Sequence, residues 1–492
     1  NGDGNGDGNG DGNGNGNGNG DGNGDGNRVG GGPEVALARW ERIGHIRGRM
    51  ALTRSEIVAR DKRHLRHPYT PMGPYMAGTD PIVAARAEGP FFWDADGTRY
   101  IDANGSWWVS AFGHRHPRLV RALAAQLDTM AHVSLAGVTH EPAARLAGAL
   151  ADIAPGHADP TLPAAQRLSR AFFSDNGSTA VEVAIKMTAQ YWAQNGRPAR
   201  TRYLTLSGAF HGETVGATSV GGVGAFRDVF GPLLFDVVHA PSPGDASGWA
   251  ASLECIERTL REDGDRIAAV IVEPLIQGAE GMRMHGPEFL RAVRELTRRA
   301  DMFLIADEVF TGLGRTGATF ACDVAGIVPD LLCMAKALSG GMLPFAATLA
   351  SERLFEGLLG APSRAFFYGH SYCGNPLGAA VALEALAILR DEDIVAQVQR
   401  KAPRVRACFE RIASSVRGAS NPRACGLVGA LDLGEGGYLA RAGWRVYEAA
   451  RARGVYLRPL GDTVYVAPPL TIPDDVLDEL LAVVEAAVRA AV

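Results

Sequence analysis

The sequence predicts an α/β protein, with a large domain built on a mostly parallel sheet and a small α+β domain formed from both chain ends. Two observations predict this fold class. Short apolar runs typical of strands alternate with longer helical stretches, the order from which parallel sheets covered on both faces are built. The 492 residues, 46% of them hydrophobic, are also enough for more than one domain with a buried core. We expect a tail over 1–32, the N-terminal part of the small domain over 33–105, the large domain over 106–389 and the C-terminal part of the small domain over 390–492.

The first 32 residues predict a disordered tail. Gly alternates with Asn or Asp over residues 1–26, and such a composition cannot bury enough apolar surface to offset the entropy of ordering. The run Asp21–Gly26 resembles half of a calcium loop, but Arg28 and Gly32 stand where that loop needs an apolar residue and a bidentate Glu. Residues 1–26 contain five aspartates and no lysine or arginine, so they account for the whole net charge of -5. The chain after residue 26 is therefore neutral, without the basic footprint that nucleic acid or anionic lipid would need.

The remaining composition favours a cytoplasmic protein. The six cysteines include no C-x-x-C pair, which favours a reducing compartment over a disulfide framework. No signal peptide is recognised ahead of the fold. The longest apolar stretch, Leu331–Ala350, contains Lys336 and Pro344, which argues against a membrane span. We expect small-molecule substrates, no nucleic acid, no membrane and no bound metal.

The chain ends predict the elements of the small domain. Apolar residues at three- and four-residue steps predict a helix over 35–66, and Phe91–Asp102 predicts a hairpin around an Asp-Gly turn. After Leu389 the pattern predicts a helix, a strand, a helix, two strands and a last helix that Pro473 opens.

Between these ends the predicted strands and helices alternate. Ser178–Gln194 and Glu288–Arg299 have the pattern of helices. Apolar runs predict six strands, at Arg170–Ser174, Arg202–Ser207, Ala268–Glu273, Met302–Asp307, Leu331–Met334 and Ala346–Ala350.

Lysine usage gives the first indication of chemistry. The chain has four lysines against 45 arginines, and Lys336 follows an uncharged run that predicts a strand. Burial lowers the pKa of a lysine and yields a nucleophilic amine able to form a Schiff base, which arginine cannot do. A lysine whose stem lies on apolar surface while its head reaches water is equally compatible with this run.

Three further motifs each follow a predicted strand. Asp307 ends one, where open α/β sheets bind ligands, although a turn or cap aspartate would have the same pattern. Gly177 and Ser178 begin a helix whose first N–H groups suit a phosphate, although an ordinary capped helix start is the alternative. Phe210 offers an aromatic face for a flat ring. Together with Lys336 these residues describe a cradle for an aldehyde cofactor, pyridoxal phosphate, whose ring nitrogen an aspartate can keep protonated.

These motifs resemble those of the class III aminotransferases of fold type I, over almost everything from His64 to the C-terminus. The motifs are Asp175–Ser178, Phe210–Glu213, Asp307–Val309, Gly312–Gly317 and Lys336. Within the class the chain resembles the 8-amino-7-oxononanoate aminotransferases, the diaminopelargonate synthases of biotin synthesis. The stretches that carry this narrower resemblance are His67–Thr70, Ser106–Trp108, Thr139–Pro142, and Arg458–Pro459 with Tyr465 and Pro468–Pro469.

The resemblance implies a pyridoxal-phosphate-dependent transamination of 8-amino-7-oxononanoate to 7,8-diaminononanoate, in a homodimer whose active site lies at the interface. It implies three catalytic residues: Lys336, which binds the cofactor and moves the proton, Asp307, which pairs with the ring nitrogen, and Tyr69. The other implied cofactor-binding residues are Gly177, Ser178 and Phe210 with His370 and Ser371, the last reaching the neighbouring subunit. The implied substrate-binding residues are Trp107, Trp108, Phe210, Gly369, Arg458 and Tyr465, with Arg458 bound to the substrate carboxylate.

Two departures from the family pattern leave the amino donor open. Many relatives have Tyr where Phe210 stands, and members that use S-adenosylmethionine often have Gly-Pro-Thr in place of Gly369–Ser371. The version here looks more like that of members reported to use lysine. The donor is therefore S-adenosylmethionine or lysine, and another class III activity, an ω-amino-acid or diamine transaminase, is the alternative. A cofactor-binding protein without catalysis, or a calcium-responsive scaffold, is disfavoured because Lys336 and Asp307 are both present.

Overall fold

The structure, a computed structural model, describes residues 52–78, 80–244, 248–434 and 437–492. It divides into two compact units, one ending at Pro81 and the other beginning at Ile82. The predicted tail, with its calcium-loop-like run, and the first part of the helix predicted over 35–66 lie outside the described residues. The domain boundaries inferred from the sequence stay a prediction.

The first unit contains the helices Arg54–His64 and Met72–Ala77. The loop between them is held by Asp61, whose Oδ2 lies 2.9 Å from Nε2 of His67 and whose carboxylate accepts a hydrogen bond from the Tyr75 hydroxyl. In this loop Tyr69 adopts a left-handed backbone conformation, with φ 49°.

The second unit carries the strands, which we number along the chain. They are β1 Ala84–Glu88, β2 Phe91–Asp94, β3 Arg99–Asp102, β4 Leu168–Ser174, β5 Arg202–Leu206, β6 Val237–Ala240, β7 Ile267–Val272, β8 Ile276–Gln277, β9 Arg283–Met284, β10 Phe303–Asp307, β11 Leu331–Met334, β12 Ala346–Ser351, β13 Ser420–Cys425, β14 Val428–Asp432, β15 Val455–Tyr456 and β16 Thr463–Val466.

The same unit carries α-helices and short 3₁₀ helices. Gly105–Trp108 is a short turn with positive φ throughout, and the α-helices are Pro117–Thr129, Glu141–Ile153, Gly177–Gln194, Val215–Val220, Gly224–Arg227, Ala250–Asp263, Pro287–Arg299, Ala321–Ala325, Glu352–Glu356, Pro376–Asp391, Ile394–Ser415, Ala442–Arg451 and Asp474–Ala491. The 3₁₀ helices are Ala164–Gln166, Asp228–Leu233, Lys336–Ser339 and Pro362–Arg364. Within the described ranges, every helix is too short or too polar to cross a membrane.

A seven-stranded sheet in the order β4-β12-β11-β10-β7-β5-β6 forms the centre of this unit. All six strands predicted from apolar runs belong to it, and the prediction of a mostly parallel sheet is confirmed: only β12 runs antiparallel to its neighbours. The seventh strand, β6, was not predicted, because it is a four-residue edge strand whose residues are mostly half-buried. Every residue of β7 is buried, as expected of a strand covered on both faces.

The two ends of this unit meet in a sheet of order β1-β2-β3-β15. The predicted hairpin is confirmed, since β2 pairs antiparallel with β3 and places Phe91 opposite Ile101. After Leu389 the structure has two strands, β13 and β14, where the sequence predicted one. The exposed first half of β13 lacks the apolar alternation that predicts a strand.

The parallel strands bring three charged residues to one edge of the central sheet. Asp307 ends β10 and lies opposite Cys333 of β11, and Ala306 lies opposite Val272 of β7. Glu273 directly follows β7 and Lys336 follows β11 by two residues, so both come to the edge at which Asp307 ends β10.

Candidate active site

A cavity of about 470 Å³ opens at this edge of the sheet. Its volume falls in the range of small-molecule sites. The residues that line it include six of those predicted as site residues: Lys336, Asp307, Gly177, Ser178, Phe210 and Trp108.

Lys336 occupies a strained position beside the cavity. Its backbone has φ 37°, a left-handed conformation that few residues other than glycine adopt. Its Nζ lies 5.0 Å from the centre of the Trp108 ring. Burial lowers the pKa of the Lys336 amine, and the negative charges of Asp307 and Glu273 oppose that change. The amine therefore loses its proton more readily than an exposed lysine and can act as a nucleophile.

The Asp307 carboxylate is buried and held on both oxygens. Its Oδ2 accepts a hydrogen bond from Nδ1 of His211 at 2.7 Å, and its Oδ1 accepts the N–H of Val309 at 3.1 Å. His211 is itself buried, and its Nε2 lies 3.4 Å from Oγ1 of Thr205. His211 belongs to one of the sequence motifs, but no role was predicted for it. In the structure His211 orients Asp307.

Glu273, which is not among the residues predicted from the sequence, lines the same cavity. It is buried; its Oε2 accepts the N–H of Phe210 at 2.8 Å and its Oε1 accepts that of Gly278 at 3.0 Å. Burial raises the pKa of Glu273 to about 7, with Asp307 adding to the rise and His211 opposing it. The available signal was its place at the end of the apolar run that became β7, the position that Asp307 has on β10.

The start of the helix Gly177–Gln194 forms an anion cradle. Asn176 caps this helix by accepting the N–H of Thr179 at 3.0 Å, which leaves the N–H groups of Gly177 and Ser178 at the lining of the cavity. Gly212, with φ 128°, packs on Ser178 so closely that a Cβ there would lie 2.2 Å from Oγ of Ser178. A phosphate fits such a helix N-terminus.

Three predicted substrate residues do not line the cavity: Trp107 belongs to the turn Ser106–Trp108, and Arg458 and Tyr465 contact that turn. The turn Ser106–Trp108 is left-handed at all three residues, and buried Asp102 holds it by accepting the Ser106 N–H at 2.6 Å. Trp108 thus enters the wall of the cavity, and the buried Tyr465 ring packs edge-on against it at 6.2 Å. Beside it, the Trp107 ring centre lies 5.1 Å from Cζ of Arg458.

Gly369, His370 and Ser371 do not line this cavity but a separate depression of the surface, although Nε2 of His370 lies 3.6 Å from Oδ1 of Asp175, which lines the cavity. Two histidines hold their loop: Nε2 of His132 lies 2.7 Å from the Ser371 carbonyl oxygen, and Nε2 of His140 lies 2.8 Å from that of Gly374.

His140 has a second task, because its Nδ1 accepts the N–H of Ala143 at 3.2 Å and so caps the helix Glu141–Ile153. This accounts structurally for the sequence motif Thr139–Pro142. Tyr69 belongs to the first unit, and its catalytic role stays a prediction.

The cavity fits pyridoxal phosphate. Lys336 supplies an amine, and Asp307 supplies a buried carboxylate that accepts two hydrogen bonds. Phe210 supplies an aromatic ring, and Gly177 with Ser178 supplies a helix N-terminus. These groups complement the aldehyde, the ring nitrogen, the ring face and the phosphate of that cofactor.

Known proteins resemble this chain over most of its length. The family model described as "Aminotransferase class-III" matches residues 75–488. Two relatives named adenosylmethionine-8-amino-7-oxononanoate aminotransferase come from Geobacter sulfurreducens, 38% identical over 86% of this chain and 94% of that protein, and from Synechococcus elongatus, 43% identical over 86% and 97%.

Solved structures agree with the predicted fold. The crystal structure of adenosylmethionine-8-amino-7-oxononanoate aminotransferase from Methanocaldococcus jannaschii has a TM-score of 0.83 and 31% identity, and covers 89% of this chain and 99% of that one. An amine transaminase from an uncultivated Pseudomonas species, solved with pyridoxal phosphate bound, has a TM-score of 0.81 and 32% identity, over 87% and 99%. The expectations of fold type I and of a pyridoxal-phosphate-dependent aminotransferase are confirmed, and the chain belongs to the class III aminotransferases.

Proposed function

We propose that this enzyme converts 8-amino-7-oxononanoate to 7,8-diaminononanoate, a step of biotin synthesis, with S-adenosylmethionine or lysine as the amino donor. The observation that carries the proposal is the 38% and 43% identity, over 86% of the chain, to relatives named for this substrate. The neighbourhood of Trp107, Trp108 and Arg458 supports it, because an apolar wall beside a guanidinium suits a long aliphatic ketone that ends in a carboxylate.

Pyridoxal phosphate, when bound, supplies a carbonyl that takes up amino groups and a ring that stabilises negative charge on the carbon being deprotonated. Lys336 would hold it covalently, Gly177 and Ser178 would bind its phosphate, and Phe210 would lie on its ring. Asp307, oriented by the imidazole of His211, would keep a proton at the ring nitrogen.

The same residues carry out both halves of the transfer. In the first half the Nζ of Lys336 would take a proton from the donor carbon that bears nitrogen, since burial favours its neutral form, and in the second half it would deliver a proton to the keto carbon of the oxononanoate. The Trp108 ring, whose centre lies 5.0 Å from this amine, shields the amine from water. The donor leaves as its carbonyl compound before the oxononanoate enters, and Arg458 binds the carboxylate of the oxononanoate with two parallel hydrogen bonds.

A homodimer is part of this proposal. The loop that carries Gly369, His370 and Ser371 also carries Phe367 and Tyr372, which are 85% and 62% exposed. A second copy of the chain would cover these rings and bring the loop to the cavity of the partner subunit. We also propose a cytoplasmic location, which the six free cysteines support.

The two half-reactions test the proposal separately. Purified holoenzyme is mixed with S-adenosylmethionine, lysine, alanine or a diamine, and the visible absorption of the bound cofactor reports whether its amino group is taken up. The oxononanoate is then added, and mass spectrometry detects the diamine product. Formation of 7,8-diaminononanoate with either proposed donor supports the function. Turnover of other ketones but not of the oxononanoate would instead assign an ω-amino-acid or diamine transaminase. If sedimentation shows a monomer at the assay concentration, the proposed active site shared between two subunits is wrong.

A further inference from the structure

A second indole contacts the guanidinium of Arg458. Cζ of Arg458 lies 5.4 Å from the ring centre of Trp444, and 5.1 Å from that of Trp107. Both distances are within the range in which a cation is attracted to an aromatic face. Trp107 belongs to the turn beside the cavity, whereas Trp444 comes from the helix Ala442–Arg451, which supplied none of the predicted site residues.

The start of this helix is packed against the residues that follow Arg458. The N–H of Gly443 donates to the carbonyl oxygen of Gly461 at 3.1 Å. A Cβ at position 443 would lie 2.4 Å from that oxygen and 2.6 Å from Cβ of Pro459, the residue directly after Arg458. Only glycine allows this approach, which fixes Trp444 relative to Arg458. The Trp444 ring also packs edge-on against Tyr447, with ring centres 5.5 Å apart.

The backbone and the side chain of Arg458 are held by different groups. Its N–H donates to Oδ1 of buried Asn104 at 2.6 Å, and Nδ2 of Asn104 donates to the Tyr465 carbonyl oxygen at 3.4 Å. A long, flexible arginine side chain has many accessible rotamers. A contact that restricts the guanidinium before the substrate arrives reduces the entropy lost on binding.

We propose that Trp444 is a positioning residue for the substrate carboxylate: its ring holds the guanidinium of Arg458 in the orientation that binds the carboxylate of the keto substrate. This rests on the proposed function, in which Arg458 binds that carboxylate. An aromatic face attracts the cation without using its N–H donors, so the indole does not compete with the substrate. Trp444 therefore lowers the KM for the carboxylate-bearing ketone and leaves the chemistry at Lys336 unchanged.

A double-mutant cycle in the holoenzyme tests the inference. Trp444→Leu is made alone and together with Arg458→Ala, and KM and kcat for the oxononanoate are measured with a saturating donor. We expect Trp444→Leu to raise KM about three- to tenfold with little change in kcat. Trp444→Phe keeps an aromatic face, so its KM should stay close to that of the wild type. In the Arg458→Ala background, Trp444→Leu should have no further effect on KM.

The matched control is Trp93→Leu. Trp93 of β2 makes the same kind of contact with Arg86 of β1, whose Cζ lies 3.6 Å from the centre of the Trp93 ring. If Trp444→Leu raises KM by the same factor in the wild type and in the Arg458→Ala background, the inference is wrong, since Trp444 would then act through packing alone. An unchanged KM would overturn it as well. If Trp444→Leu does not fold, as judged by its melting temperature and its cofactor absorption, Trp444→Met takes its place in the cycle. If the wild type does not accept the oxononanoate, the proposed function has failed, and the cycle is run with a carboxylate-bearing ketone that it accepts.

Discussion

Replacing Glu273 by Gln removes an ionisable group from the cavity and keeps its shape. Glu273 is 5% exposed, and its carboxyl group accepts two backbone hydrogen bonds, at 2.8 and 3.0 Å. Burial raises its pKa from 4.5 to about 7. We therefore expect the substitution to change how the stability of the cofactor-free protein depends on pH.

The sign follows from proton binding. Between pH 4.5 and pH 7 the folded protein keeps a proton on Glu273 that the unfolded chain has released. The stability that this group contributes is therefore complete below pH 4.5 and is lost as the pH rises through 7. At about 1.4 kcal/mol per pKa unit, the wild type loses about 2.5 kcal/mol from this group between pH 5 and pH 8. Gln cannot ionise, so the free energy of unfolding of Glu273→Gln should rise by that amount relative to the wild type over this interval.

Urea unfolding of the cofactor-free protein, followed by tryptophan fluorescence at pH 5, 6.5 and 8, measures this difference. The matched control is Glu254→Gln, which alters an exposed carboxyl group of the helix Ala250–Asp263. A difference between Glu273→Gln and the wild type that is the same at pH 5 and pH 8, or that changes in the opposite direction, would refute the view that burial decides the ionisation of Glu273.

Three further substitutions address the remaining parts of the site. Lys336→Arg keeps a positive charge that cannot be lost, so turnover and the visible cofactor absorption should disappear while the circular dichroism spectrum is unchanged; normal turnover would exclude Lys336 as the nucleophile. Asp307→Asn should lower kcat about a hundredfold or more at unchanged cofactor content, and a smaller loss would mean that another group stabilises the ring. Gly212→Ala places a Cβ 2.2 Å from Oγ of Ser178, so titration of the cofactor-free protein with pyridoxal phosphate should show an affinity about tenfold weaker. An unchanged affinity would mean that the packing of Gly212 on Ser178 does not contribute to phosphate binding.

The sequence could predict Asp307 and Lys336 because each is a charged residue at or just beyond the end of a fully buried strand. An apolar run followed by such a residue is visible without any knowledge of neighbouring strands. Gly177 and Ser178 were visible for a similar reason, since a strand, a small polar turn and a helix follow one another directly. The short edge strand β6 and the polar strand β13 escaped prediction because neither buries an alternating or continuous apolar face.

The residues that depend on long-range contacts could not be predicted from the local sequence pattern alone. Arg458 is one arginine among 45, and only the family motif distinguished it. Trp444 is brought to Arg458 by the close approach of Gly443 to Gly461, a contact that the spacing of residues in the helix does not reveal. His211 orients Asp307 across 96 positions of the sequence.

The two carboxylates of the cavity show why tertiary contacts decide roles that the sequence leaves equal. Asp307 and Glu273 lie at the ends of neighbouring parallel strands, and each follows an apolar run. Asp307 has an imidazole as a partner at 2.7 Å, and an imidazole can carry positive charge, whereas Glu273 accepts hydrogen bonds from two neutral backbone N–H groups. Asp307 is therefore the group suited to face a cationic ring nitrogen. Burial raises the pKa of Glu273 to about 7, so this carboxyl group exchanges its proton near neutral pH.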